Sequence, residues 1–147
     1  LKKNNCKIIF EPGRSIIGNA GILISKIIYI KKNKNKNFVI LDAAMNDLMR
    51  PALYGAKHQI IPSIKNKKNL NKKFEFVGPI CESTDKFLTI NKFQKIKEGD
   101  ILIICDSGAY GMSLSSNYNV RPLSAEILIK NSKIQVIRNR QKLSDLI

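Results

Sequence analysis

With 147 residues, 44% of them apolar, the sequence has enough chain for one domain with a sizeable core. No apolar run approaches the roughly 18 residues that span a bilayer, and Lys2 and Lys3 lead into Asn and Cys rather than a signal peptide's apolar stretch, so the expectation is a cytoplasmic protein with no membrane partner. The net charge of +15 would suit a nucleic-acid binder, but the lysines gather in Asn-rich stretches (31–37 and 65–73) without interleaved aromatics to stack bases. They read as tolerant surface loops with no specific nucleic-acid partner.

In chain order, Lys7 to Phe10 reads as a short buried strand stopped by Pro12 and Gly13. Leu1 rather than Met precedes it, the pattern of a piece cut from something longer. Ser15 to Gly21 is small and Gly-broken, a helical turn or loop. Ile22 to Lys31 and Phe38 to Asp42 form a hairpin about the first lysine-rich stretch. Asn46 to Tyr54 starts like a helix that Pro51 interrupts. His58 to Ile61, Phe74 to Val77, Phe87 to Ile90 and Ile101 to Cys105 are strands, and 65–73 is a second basic loop. A helical turn is expected through Met112 to Ser115, then a last hairpin, Ala125 to Ile129 with Lys133 to Ile137, about Asn131 and Ser132. Six to nine short strands with little helix predict a mainly β domain, sandwich or barrel.

Cys6, Cys81 and Cys105 have no paired spacing, and His58 is the single histidine, so neither a metal site nor a disulfide framework is expected. Cys6 and Cys105 read as small buried apolar residues within or beside Ile-rich strands. Cys81 differs, because it follows Gly78-Pro79 and precedes Glu82, Ser83 and Asp85 in a polar loop. His58 has no polar sequence neighbour that suggests a triad, and reads as structural.

Four segments are too particular for a generic β-domain: Glu11-Pro12-Gly13-Arg14, the run from Asp42 to Gly55, the run from Gly78 to Asp85, and Gly108-Ala109-Tyr110-Gly111-Met112. Each follows or interrupts an apolar strand, where a rigid sheet commonly carries a site. Glu11 and Arg14 could make a turn with a surface ion pair, or Arg14 could offer its fork to a phosphate or carboxylate. Arg50 and Tyr54 stand four residues apart, although Pro51 between them makes a strict helical turn doubtful. Tyr110, between two glycines, could be a core aromatic or a ring presented by a loop.

In this order the segments resemble the fold-type III pyridoxal-phosphate-dependent amino-acid decarboxylases, most closely the members acting on diaminopimelate, from Glu11 through about Ile137. The resemblance implies a cofactor-bearing α/β (TIM-like) barrel, of which residues 1–21 would be the end with its last strand. Residues 22–147 would be the C-terminal β-domain completing the site. It implies pyridoxal 5'-phosphate as cofactor, a small amino-acid substrate, and a homodimer with shared active sites. Glu11, with Pro12 and Gly13 in its turn, would pair with the pyridine nitrogen. Arg14 and Tyr110 would serve the cofactor phosphate and the substrate, and Arg50 and Tyr54 the substrate carboxylate. Cys81 would return a proton to the carbon that loses carbon dioxide, and Glu82 would hold the far amino group, both reaching into a partner subunit. The Schiff-base lysine would belong to the missing barrel half, so the chain by itself is expected to be inactive.

Rivals within the chemistry are the relatives acting on ornithine or arginine, which tend to carry Asp where Glu82 follows Cys81. Outside it stand a basic nucleic-acid-binding β-domain and a folded remnant without function.

Overall fold

The computed structural model describes residues 6–66 and 68–147. Its elements run β1 (Leu23–Lys32), β2 (Lys36–Leu41), α1 (Arg50–Tyr54), β3 (Ile60–Pro62), β4 (Asn69–Leu70), β5 (Lys73–Val77), β6 (Lys86–Ile90), β7 (Phe93–Gln94), β8 (Ile101–Ile104), β9 (Glu126–Lys130) and β10 (Lys133–Arg138). The fold is mainly β, as expected. A curled six-stranded sheet in the order β3-β8-β1-β2-β5-β6 carries it, with two small ribbons, β4-β7 and β9-β10.

Alternation explains the sheet. In β2, β5 and β8 every second residue is buried, which places Val39, Leu41, Phe74, Phe76, Leu102 and Ile104 on one face. Phe74, Phe76 and Phe93 pack ring against ring, with centroids 5.1 to 6.5 Å apart. The long strand β1 pairs with β8 through Leu23 to Lys26 and with β2 from Ile27 onward, with an irregularity between Ile27 and Tyr29. One strand thus serves two neighbours in succession, and the sheet bends around the core.

Several expectations need correction. Lys7 to Phe10 forms no strand: no neighbour pairs with it among the described residues, and Ile8, Ile9 and Phe10 are exposed. Cys6, beside it, is exposed rather than buried, and Cys105 is only half-buried. The helix expected from Asn46 begins at Arg50, and Pro51 lies in its first turn instead of interrupting it. A first turn needs no N–H from that position, so proline fits there. The second basic stretch contains β4, whose Leu70 packs against the core while the described lysines around it are exposed. In the last hairpin Asn131 and Ser132 both take positive φ (50° and 61°), the backbone a two-residue turn demands.

Candidate functional site

The run from Asp42 to Gly55 is the hub to which the other loops attach. Asp42 Oδ1 accepts from the Ser25 hydroxyl (2.6 Å) and the Lys26 N–H (2.8 Å), which fixes the start of the run on β1. Asn46, fully buried, donates to the Ser116 carbonyl and accepts from Arg121 Nε at 2.9 Å, while Arg121 also reaches the Asp42 carbonyl. The segment from Ser116 to Arg121 is thereby tied to the hub.

At the far end of the run, α1 places Arg50 and Tyr54 on one helical turn, contrary to the doubt raised by Pro51. Gly55 caps it at φ 62°. Both residues line a cleft of about 860 Å³ together with Arg14, Ser15, Asn19, Lys57, His58 and Asp106. Arg50 is only 8% exposed and has no carboxylate partner among the described residues. Its Nη1 lies 3.3 Å from His58 Nε2, and His58 Nδ1 lies 2.8 Å from the Cys105 carbonyl oxygen. His58 therefore has two polar partners that its sequence neighbours did not suggest. Arg14 forms no ion pair with Glu11, so the turn is not held by one; Glu11, Pro12 and Gly13 are exposed and stand outside the cleft lining.

Tyr110 lies on a loop docked against the residues that follow Arg14. The Ser107 N–H donates to the Gly21 carbonyl and the Gly108 N–H to the Gly18 carbonyl. A Cβ on Gly21 or Gly108 would collide with the backbone of the other, so this approach requires glycine at both. Tyr110 itself has φ 57° and is exposed, which excludes the core-aromatic reading.

Cys81 and Glu82 are exposed on the loop between β5 and β6 and do not line the cleft. Buried Asp85 shapes that loop: its carboxylate accepts from the Ile80 N–H (2.8 Å) and from the Met45 N–H of the hub (2.7 Å). A side chain at Gly78 would strike the same carboxylate. The Tyr118 hydroxyl donates to Glu82 Oε1, and the bond and charge of Glu82 hold the phenol above its ordinary pKa.

Burial raises the Asp85 carboxyl above its ordinary 3.8, opposed by its two backbone N–H bonds. Asp85→Asn should cost about 1–3 kcal/mol at neutral pH, because the amide nitrogen faces one of the two N–H donors and leaves it unpaired. The folded wild type takes up a proton before the unfolded chain does, so its stability gains as pH falls from the raised value toward 3.8. Asn cannot titrate, and the gap between the two proteins should widen over that window in urea unfolding. A gap that narrows would show that the sign is wrong.

Of the expected site residues, the fold gathers Arg14, Arg50 and Tyr54 in one cleft and sets Cys81 and Glu82 on a separate loop. His58, Asp85, Asn46, Tyr118 and Arg121 escaped sequence reasoning as site-shaping residues. Each of the five has a partner at least 36 positions away in sequence, although Asp85 and Asn46 stood inside the quoted segments.

Residues 15–108 match the family model described as pyridoxal-dependent decarboxylase, C-terminal sheet domain. The chain is 47% identical over 142 residues to the diaminopimelate decarboxylase of Zymomonas mobilis, covering 97% of this chain and 33% of that protein. It is 45% identical over 145 residues to the Vibrio cholerae diaminopimelate decarboxylase, covering 99% and 34%. Among solved structures, the Helicobacter pylori diaminopimelate decarboxylase complexed with L-lysine superposes with a TM-score of 0.84 at 46% identity, covering 92% of this chain and 33% of that one. The chain spans about a third of the length of the curated relatives it matches.

Proposed function

The chain belongs to the pyridoxal-dependent decarboxylases, as their C-terminal sheet domain, and from that premise we propose that it completes the active site of an enzyme converting diaminopimelate to lysine and carbon dioxide. The observation that carries the proposal is Arg50, a buried cation lining a cleft beside Arg14 with no carboxylate partner among the described residues. Burying an unpaired charge is costly, so a site of this kind is completed by an anion.

The cleft suits pyridoxal phosphate and an amino acid together. Its cations, Arg14, Arg50 and Lys57, outnumber its one carboxylate, Asp106, as a phosphate and a substrate carboxylate would require. Arg14 in the cleft and Tyr110 on its exposed loop would hold the cofactor phosphate, and Glu11, in the turn with Pro12 and Gly13 outside the cleft lining, would keep the ring nitrogen protonated. When bound, the cofactor supplies an electron sink for the bond to the departing carboxyl group. Arg50 and Tyr54 grip a substrate carboxylate. Cys81 returns a proton to the carbon left behind, and Glu82, steadied by Tyr118, binds the distal ammonium.

A substrate with a carboxylate and an ammonium at each end matches that set. The bound L-lysine of the Helicobacter pylori relative supports the assignment. Cys81 and Glu82 stand apart from the cleft of Arg14 and Arg50, which supports a homodimer in which the loop serves the neighbouring subunit.

The test is to express the full-length protein that contains these residues and assay lysine formed from diaminopimelate. Turnover of ornithine or arginine instead would move the substrate. In the same enzyme Arg50→Ala should raise KM about 10- to 100-fold with kcat little changed, because a charge-assisted grip made in both ground and transition states is lost. An unaltered KM would remove Arg50 from the carboxylate site.

A further inference from the structure

His58 is 2% exposed, and its ring stands between two groups that leave it no choice of protonation. The Cys105 carbonyl, 2.8 Å from Nδ1, can only accept, so Nδ1 carries the hydrogen. The Arg50 guanidinium, 3.3 Å from Nε2, can only donate, so Nε2 carries a lone pair. The carbonyl that anchors the ring is itself fixed, because the Cys105 N–H is bound at 2.9 Å to the Gln59 carbonyl beside β3.

Both ring nitrogens are engaged within the protein. His58 thus offers a ligand in the cleft neither donor nor acceptor, although it forms part of the wall. Its effect must pass through Arg50. A guanidinium carries five donors in one plane, and anchoring one of them sets the plane of the rest. Ordering the side chain before a ligand arrives removes that cost from binding.

We infer that His58 is a positioning residue: locked as the Nδ1–H tautomer by Cys105, it aims the Arg50 guanidinium at a carboxylate in the cleft. The inference rests on the proposed reading of Arg50 as a carboxylate holder.

The experiment uses the full-length enzyme loaded with pyridoxal phosphate. Histidine ¹⁵N spectra of the wild type, with the His58 signals assigned by their loss in His58→Gln, should show Nδ1 protonated and Nε2 bare. His58→Phe should raise the diaminopimelate KM about three- to tenfold with kcat within about twofold. His58→Gln, whose amide oxygen can accept from Arg50, should recover most of that loss. The double variant His58→Phe with Arg50→Ala should be no worse than Arg50→Ala alone, because the two act as one unit.

A proton on Nε2, or fully additive losses in the double variant, would overturn positioning while leaving the carboxylate site in place. An Arg50→Ala enzyme with unchanged KM would overturn the carboxylate site and the positioning role with it. Where His58→Phe fails to fold, the wild-type spectrum and His58→Gln decide the matter.

Discussion

Cys81→Ala in the full-length enzyme should lower kcat by about 10²–10⁴-fold and leave KM within a small factor. A group that delivers a proton acts only as the proton moves, so its loss falls on the chemical step. The structure supports that role by placement: Cys81 is exposed on a loop held rigid by Asp85 and stands beside the Tyr118–Glu82 pair. A thiol buried for packing would have been inside the sheet. A variant that loses affinity while keeping its turnover would show that Cys81 shapes the pocket and does not deliver the proton.

The parts of the fold legible in the sequence are those where one face of a strand is buried. The alternation around Phe74 and Phe76, and that around Leu102 and Ile104, declares both the strand and its inner face. Pairing was less legible. The parallel partnership of β2 with β5 joins segments more than thirty residues apart across a helix and a basic loop, and nothing local marks it. The apolar run at Lys7 to Phe10 carries a strand's composition but has no partner among the described residues. Composition reports what a segment can bury, and only a neighbour makes it a strand.

The site divides along the same line. Arg14, Arg50, Tyr54, Cys81, Glu82 and Tyr110 could be marked as candidates because polar residues sit together at strand ends, in segments whose order resembles a known family. His58 could not, because what defines it is the Cys105 carbonyl 47 positions away and the plane of Arg50. Asp85 likewise looked like one more polar residue of its loop until Met45, 40 positions away, proved to be its second partner. The candidates for the chemistry leave a local signature; the residues that hold their surroundings leave theirs in the tertiary contacts.

If the Cys81 loop serves the neighbouring subunit, two inactive variants should restore each other. One variant carries Cys81→Ala with an intact cofactor-bearing half; the other keeps Cys81 but lacks the cofactor lysine expected in that half. Each homodimer is defective at both sites. A mixed dimer has one site in which the intact half of the first variant meets the intact Cys81 of the second, and a second site with both lesions. Random pairing makes about half of the dimers mixed, each with one good site of two, so co-refolding should return about a quarter of wild-type activity. That is far above the background of either variant alone. The assay is carbon dioxide release after co-refolding, with mixed dimers verified by differently tagged subunits. If mixed dimers form and no activity returns, Cys81 acts within its own subunit or is not the proton donor. The Cys81→Ala turnover separates those two outcomes, because only the first keeps the loss on the chemical step.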